Sequence, residues 1–364
     1  MMLFADASVL ELPATGVGKT LLGLYVGLVE TDPSVQITMV HRRALLTDLP
    51  PSLAVLRSAP LIPRRYWSAG AFPRLARRYG PRAIFHFPWN GGIPALPSGT
   101  LTVSTIHDVL PLIIPGYFPR AEDERSYRMR TQATIDLSSL VFTDSRFSRD
   151  QILKNFRIRR EPLVLPCATD MGSRAASVRV FPSPYLLYVG GLDPRKSFDR
   201  LIRVFTAMIK EEEMKAILVV VGEIRNAPQY LVDALNEGVR AGVVHHAGYV
   251  TEPELASLYD NALALVYPSA YEGFGLPPLE AMTRGCPVIA ARATSIPEVC
   301  GSAAEYVHPE NDRSLADAIR RVVSDHTLRA SLAARGREQA ARFSWKKSAS
   351  MFLDALQSLS PAAP

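Results

Sequence analysis

The stretch Ser269–Gly285, SAYEGFGLPPLEAMTRG, sets the class of the whole chain. An apolar run, Ala262 to Pro268, precedes it and has the composition of a buried strand. A glycine-rich turn follows, then Pro277-Pro278, then a short apolar segment closed by Gly285. Strand, glycine turn and helix in that order put backbone N–H groups at the mouth of an open α/β sheet. Glu272 and Glu280 flank the turn. Gly273 and Gly275 permit it to be tight. Glu280 is expected in the first turn of the helix, where an acid also favours the helix dipole.

The same alternation runs outward in both directions. Upstream, apolar strands are expected at Gln36–His41, Ala83–Phe87, Leu101–His107, Leu140–Asp144 and Leu163–Cys167. Helices are expected at Lys19–Glu30, Glu122–Leu137 and Phe147–Phe156. The pattern lapses into small, basic and proline residues from Asp170 to Pro184, which reads as a linker. It restarts at Tyr185–Val189 and continues as strand and helix to two closing helices, Thr327–Ala341 and Trp345–Leu359. Continuous apolar strands with helices between them predict parallel sheets covered on both faces. The expected architecture is α/β, two doubly wound Rossmann-like domains facing across a substrate cleft: residues 1–170, a linker 171–184, residues 185–344, and a final helical segment 345–364.

Bulk properties narrow the function. The chain has 364 residues, 48% of them hydrophobic, enough for two cores. No apolar run reaches the ~18–20 residues that span a bilayer. The N-terminal MMLFADASVLELP has an acid at Asp6 and no basic start, unlike a signal peptide. Three widely spaced cysteines, Cys167, Cys286 and Cys300, argue against a disulfide framework or a Cys-rich zinc site and fit a cytosolic protein. The net charge of +6 favours anionic partners such as sugar nucleotides or acidic lipid. No zinc-finger, RRM or basic-tail signature points to nucleic acid.

Two motifs carry chemistry beyond the opening stretch. Tyr188–Arg200, YVGGLDPRKSFDR, ends a strand at Gly190-Gly191 and places Arg195-Lys196 just before a helix. Two cations there can neutralise a diphosphate without a metal. The other is ATGVGKT, Ala14–Thr20, which ends like a P-loop but has Pro13 where the first glycine belongs. The strand before it is short and interrupted by polar residues. A nucleotide triphosphatase is therefore disfavoured, and Gly16 and Gly18 instead let the turn approach a ligand. His107 with Asp108 is placed at the crevice edge of the first sheet.

These segments together resemble the retaining glycosyltransferases of glycosyltransferase family 4, with the GT-B fold. The resemblance is carried by EGFGLPPLEAM, by GCPVIA and SIPEV after it, by VGGLDPRK, and by HHAGYVTEPELASLYDNA. TGVGKTLLGL, STIHDVLPL, FTDSRFSRDQI and RFSWKKSA add to it in order. It covers nearly the whole chain and is strongest in the second half. It implies an acceptor-binding N-terminal domain, a C-terminal domain for the sugar nucleotide, and a last helix crossing back to the first domain. It also implies roles. Glu272 sits at the donor sugar, with His107 approaching it and Gly16 and Gly18 closing over it. Arg195 and Lys196 hold the diphosphate, assisted by the phosphate loop at Gly191 and by amides of Gly273, Phe274, Gly275 and Leu276. Glu280 holds the ribose, and Tyr249 and Val250 lie near the base. Two departures are visible: Gly191 stands where many members have arginine, and Pro277 lacks an amide that some relatives aim at phosphate.

The implied reaction is hexosyl transfer with retention. There is no D-x-D motif, and the acids of Ala121–Glu124 read as a helix start, so no metal is expected. No cofactor is expected beyond the sugar nucleotide. The PRK-type loop favours a mannosyl-like transferase using a GDP-sugar, acting on a glycan or lipid-linked oligosaccharide in polysaccharide biosynthesis. A UDP-sugar enzyme and a non-catalytic nucleotide-sugar-binding protein are the alternatives. A glycosidase-like carboxylate pair leaves Arg195-Lys196 unexplained. Tyr66–Arg82, basic and aromatic around Pro73 and Pro81, is either a peripheral contact with an anionic membrane at the inner face of the cytoplasmic membrane or a solvated basic helix. The prolines are expected to limit that helix to under three turns.

Overall fold

The computed structural model describes residues 1–12, 15–46, 49–57, 64–90, 92–173, 181, 184–211, 215–224 and 227–359. Pro13 and Ala14, and the part of the expected linker at 174–180 and 182–183, lie outside the described residues. The chain forms two compact units, Met1–Ala168 with Ser344–Pro364, and Thr169–Phe343.

In chain order the first unit contains β1 (Met2–Asp6), α1 (Gly16–Thr31), β2 (Gln36–His41), β3 (Ala54–Arg57), α2 (Arg64–Tyr79), β4 (Ala83–Phe87) and β5 (Leu101–Thr105). It continues with α3 (Ala121–Leu137), β6 (Leu140–Thr143), α4 (Arg146–Asn155) and β7 (Leu163–Val164). The sheet order is β3-β2-β1-β4-β5-β6-β7, and every pairing is parallel. β1 is thus an interior strand. Leu3, Phe4 and Ala5 are buried, and the polar interruption begins only at Asp6, the last residue of the strand, which still pairs with Val40.

One expectation is overturned here. α2 is 16 residues long with Pro73 inside it, not a helix of under three turns. Proline costs a helix a hydrogen bond and a clash with the carbonyl four residues earlier, ~3 kcal/mol. Here Trp67, Ala71, Phe72 and Ala76 are buried with Phe4, Phe85 and Phe87, and this tertiary packing outweighs the local cost. The apolar residues of the helix belong to the core of the unit.

The second unit contains β8 (Tyr185–Val189), α5 (Phe198–Lys210), β9 (Ile217–Val221), α6 (Gln229–Arg240), β10 (Val244–Gly248), α7 (Glu252–Asn261) and β11 (Ala264–Tyr267). It continues with α8 (Leu276–Arg284), β12 (Val288–Ala291), α9 (Ile296–Cys300), β13 (Ala304–Val307), α10 (Asp312–Ser324) and α11 (His326–Ala340). Its parallel sheet runs β10-β9-β8-β11-β12-β13. Met171–Ser173, inside the expected linker, is a short 3-10 turn held to α8: Arg284 Nη1 donates to the Met171 carbonyl at 3.2 Å.

The last helix, α12 (Trp345–Gln357), belongs to the first unit and packs on α1. A Cβ at Gly23 would lie 2.1 Å from the Trp345 ring, so only glycine admits the indole there. Phe352, Leu353 and Leu356 join the core beneath. No helix among the described residues is long and apolar enough to cross a membrane. In each sheet the order reverses at the first strand, between β1 and β4 and between β8 and β11. Such reversals open a crevice at the carboxyl ends of the strands, where doubly wound sheets bind ligands.

Candidate functional site

In the second unit the crevice is lined by the loops that leave β8 and β11. After β8 the chain turns at Gly190, whose φ is +151°. A Cβ there would lie 2.7 Å from Lys196 Nζ, so glycine lets the lysine side chain lie across the strand end. Asp193 caps the next turn by accepting from the Arg195 amide at 3.0 Å. Pro194–Lys196 form a 3-10 turn, and Ser197, at φ +51°, leads into α5.

After β11 the chain delivers Ser269 and Glu272. Glu272 is only 8% exposed, and its carboxylate is fully engaged. Oε1 accepts from Tyr267 Oη at 2.7 Å and from Ser269 Oγ at 2.8 Å. Oε2 lies 2.8 Å from Arg195 Nη1, and Lys196 Nζ is 3.8 Å from Oε1. Arg195 also donates to the Tyr271 carbonyl at 2.8 Å and pairs with Asp193 at 3.2 Å. The structure therefore brings Arg195, Lys196 and Glu272 together from two strand ends.

Burial acts on each charge differently. For Glu272 it would raise the pKa, but Lys196, Arg195 and the Tyr267 hydroxyl outweigh it and hold the carboxyl below its usual value. For Lys196 burial wins and lowers the pKa against the pull of Glu272. For Arg195, Glu272 and Asp193 outweigh burial and raise it. Both cations already face carboxylates, so any incoming anion must compete with Glu272 for them. Charge-assisted, bidentate contacts of the kind arginine makes to phosphate can win that exchange.

The turn itself is anchored from a distance in sequence. The Glu272 amide donates to Thr294 Oγ1 at 3.0 Å. Ser295 Oγ, fully buried, donates to the carbonyls of Glu272 at 2.8 Å and Phe274 at 2.9 Å. Thr294 sits at φ +50°, a left-handed conformation rare for a β-branched residue. Phe274 is buried edge-on against Phe343, at 5.9 Å between centroids. Gly275 takes φ +111° and caps α8. Leu276 begins α8, so Pro277 and Pro278 occupy its first turn, where no amide is needed. Glu280 accordingly lies in the second turn rather than the first. It is 4% exposed and accepts from Tyr259 Oη at 3.1 Å, a partner separate from the Glu272 cluster.

Gly191 is exposed beyond β8, and its carbonyl accepts from Tyr188 Oη at 3.1 Å. At the end of β10, Tyr249 is 62% exposed while Val250 is buried beneath it.

The remaining expected residues belong to the first unit. Gly16 opens α1 and is exposed; Gly18 is buried, and its amide donates to the helix-capping Thr15 hydroxyl at 3.1 Å. His107 lies just beyond β5. Its Nδ1 is 2.8 Å from Asp144 and its Nε2 3.0 Å from the Pro88 carbonyl. Both partners only accept, so both ring nitrogens donate and the imidazole is cationic. Burial opposes that charge, but Asp144 and Pro88 lift the pKa to about 9. Such a histidine is no proton acceptor near neutrality; it supplies a fixed positive charge. Behind it, His86 is fully buried between Tyr25 Oη at 2.6 Å and Thr105 Oγ1 at 2.9 Å. Burial, then the His107 charge, push it down to about 3, so it is neutral.

The sequence reading missed Tyr267, Ser269, Thr294 and Gly190. Tyr267 and Ser269 stood inside or beside the quoted stretch, but a continuous apolar strand pattern does not say which hydroxyl turns toward an acid. Thr294 and Ser295 are far enough away in sequence that only the parallel pairing of β11 with β12 brings them to Glu272.

Comparison with known proteins agrees with this geometry. Residues 174–339 match the family described as Glycosyl transferases group 1. An O-antigen chain mannosyltransferase B of Escherichia coli is 29% identical over 378 aligned positions, covering 96% of this chain and 98% of that protein. Sucrose-phosphate synthase of Thermosynechococcus elongatus has a similar fold, with TM-score 0.77, 19% identity and coverage of 98% of both chains. So does HepE of Anabaena in complex with UDP and glucose, with TM-score 0.74, 17% identity and coverage of 98% and 99%. Two Rossmann-like units, a buried Arg-Lys-Glu cluster at the switch point of the second, and these likenesses support a glycosyltransferase, with the group 1 match carried by residues 174–339.

Proposed function

We propose that the chain transfers a hexose, mannose by preference, from a GDP-sugar to a glycan or lipid-linked oligosaccharide in polysaccharide biosynthesis, with retention and without a metal ion. The Arg195–Lys196–Glu272 cluster carries the reading. As the bond between sugar and diphosphate breaks, negative charge builds on the leaving group. Fixed cations already aimed at that place stabilise it most in the transition state. Two such cations supply what a metal supplies elsewhere. Glu272, displaced from them, is left beside the electron-poor sugar. Glu280 accepts from the ribose hydroxyls, and Tyr249 stacks on the base. The mannosyl preference and the polysaccharide product follow the E. coli relative. A lipid-linked acceptor would place the enzyme in the cytoplasm, at the inner face of the cytoplasmic membrane.

A UDP-sugar donor is the second reading, favoured by the HepE complex with UDP and glucose. A thermal-shift panel decides. GDP-mannose is expected to raise the Tm more than UDP-glucose, equally with and without a chelator. Stabilisation by UDP-glucose alone would assign the second reading, and stabilisation by neither would overturn both.

A further inference from the structure

The order of the first sheet reverses between β1 and β4, and the two strands end at the same edge. Two side chains meet there. Asp6, the last residue of β1, is 1% exposed. Its Oδ1 accepts from the Ser8 amide at 3.0 Å and from the Ser8 hydroxyl. Its Oδ2 accepts from Trp89 Nε1, just past β4, at 3.2 Å. A buried carboxylate braced on one side and bonded on the other fixes where the indole lies. Trp67 is fully buried in the core of this unit, whereas Trp89 is only half-buried. Its one polar side-chain atom is engaged by Asp6, so the surface that the side chain presents is carbon.

The turn that carries Trp89 is clamped on both flanks to one neighbouring segment. The Pro88 carbonyl accepts from His107 Nε2 at 3.0 Å, and Asn90 Oδ1 accepts from the His107 amide at 3.1 Å. Asn90 Nδ2 donates to the Asp108 carbonyl at 2.7 Å. Three hydrogen bonds on the turn and a fourth on the indole thus hold an aromatic plane in the crevice where doubly wound sheets bind ligands. They also tie it to His107, the residue expected at the donor sugar.

An apolar plane in a polar frame matches a pyranose, which has a face of C–H bonds and a rim of hydroxyls. The slightly positive C–H bonds meet the negative face of the ring, and polar groups such as Asn90 and Asp108 suit the rim. In this cluster Asp6, Asp108 and Asp144 outnumber the one cation, His107, which disfavours a phosphate against the ring.

We propose that Trp89 is the stacking platform for the terminal pyranose of the acceptor, with Asp6 as its positioning residue, so that the acceptor is read by its sugar ring rather than by a lipid or phosphate end. The proposal rests on the glycosyltransferase reading for there being an acceptor.

The test is indole N–H NMR of the full chain, whose three tryptophans, Trp67, Trp89 and Trp345, all lie in the first unit. Trp89→Phe identifies the Trp89 signal by its loss. Mannotriose, maltotriose or chitotriose at millimolar concentration, with GDP present, should shift that signal and leave the other two in place. Saturation transfer from the protein to the sugar C–H protons measures binding in the variants. Trp89→Leu should weaken it roughly 10-fold or more, the scale of a central tryptophan contact, and Trp89→Phe, which keeps a ring, less. Asp6→Asn should move the Trp89 signal without any sugar and weaken binding by a smaller factor. Unmoved Trp67 and Trp345 signals verify the fold of each variant. A Trp89 signal that no trisaccharide shifts, or Trp89→Leu binding like the wild type, would overturn the proposal. So would geranyl diphosphate shifting the signal where the trisaccharides do not, which would make the turn a lipid-phosphate site. An unmoved Trp89 signal in Asp6→Asn would remove the role of Asp6. GDP is tested separately by its effect on the Tm. If it fails there while a trisaccharide binds at Trp89, the donor reading falls and the platform stands.

Discussion

Arg195 Nη1 lies 2.8 Å from Glu272 Oε2, and the two residues come from the carboxyl ends of different strands on either side of the switch point. The pair does two things. It holds a buried carboxylate ionised, and it keeps occupied the arginine that the proposed function assigns to phosphate. The site's charge is thus balanced, and under the proposed function a diphosphate binds by competition rather than by simple attraction.

Glu272→Gln keeps the shape and removes the charge. Turnover is expected to fall at least ~100-fold, the scale on which single electrostatic contacts in active sites act. The fold should persist, because Tyr267 and Ser269 can still donate to the amide oxygen. The measurement is kcat with the preferred donor beside the unfolding midpoint; unchanged kcat would remove Glu272 from the chemistry.

Ser295→Ala leaves the carbonyls of Glu272 and Phe274 without their buried donor. An unsatisfied buried group costs ~1–3 kcal/mol. Denaturant unfolding should register that loss, and kcat should drop with little change in donor KM, because the anchored turn carries Glu272. A loss confined to stability would make Ser295 purely structural.

Stability should depend on pH through two histidines acting in opposite directions. His107 has its pKa raised to about 9 from 6.5, so its contribution is full below pH 6.5 and is lost as pH rises through 9. His86 is pushed down to about 3 from 6.5; below pH 6.5 the unfolded chain takes up a proton that the folded one refuses, and stability falls toward pH 3. At ~1.4 kcal/mol per pKa unit, the limbs are worth at most ~3 kcal/mol for His107 and ~5 kcal/mol for His86. Unfolding free energy is expected to peak near pH 6.5. His107→Gln should flatten the alkaline limb and, by removing a charge that helps depress His86, soften the acid limb too; an unchanged alkaline limb would contradict the assignment.

Gly23→Ala should destabilise the first unit by ~1–3 kcal/mol, because the added methyl overlaps the Trp345 ring. The Trp345→Ala background should relieve the clash. Additive losses in the double variant would mean the two residues do not touch.

The quoted stretch Ser269–Gly285 was legible for a physical reason. Its glycines, prolines and apolar strand each have few conformational options, and together they allow one arrangement. Arg195-Lys196 stood out by position, because the carboxyl end of a strand lines the crevice of a doubly wound sheet. What was not legible depended on tertiary pairing: Thr294 and Ser295 reach Glu272 only through strand order. Local rules also misjudged α2, where burial of Trp67 and Phe72 overrode Pro73. They placed Glu280 one turn early because the two prolines begin the helix rather than delay it.

The central claim is that Lys196 and Arg195 hold the donor's diphosphate in competition with Glu272. Calorimetric titration of GDP into the wild type, Lys196→Ala and Glu272→Gln tests it directly. Lys196→Ala should weaken GDP at least ~10-fold, the worth of one charge-assisted contact to phosphate. Glu272→Gln should bind GDP as tightly as the wild type or more so. Lys196→Ala with unchanged affinity, or Glu272→Gln with weakened affinity, would contradict the account.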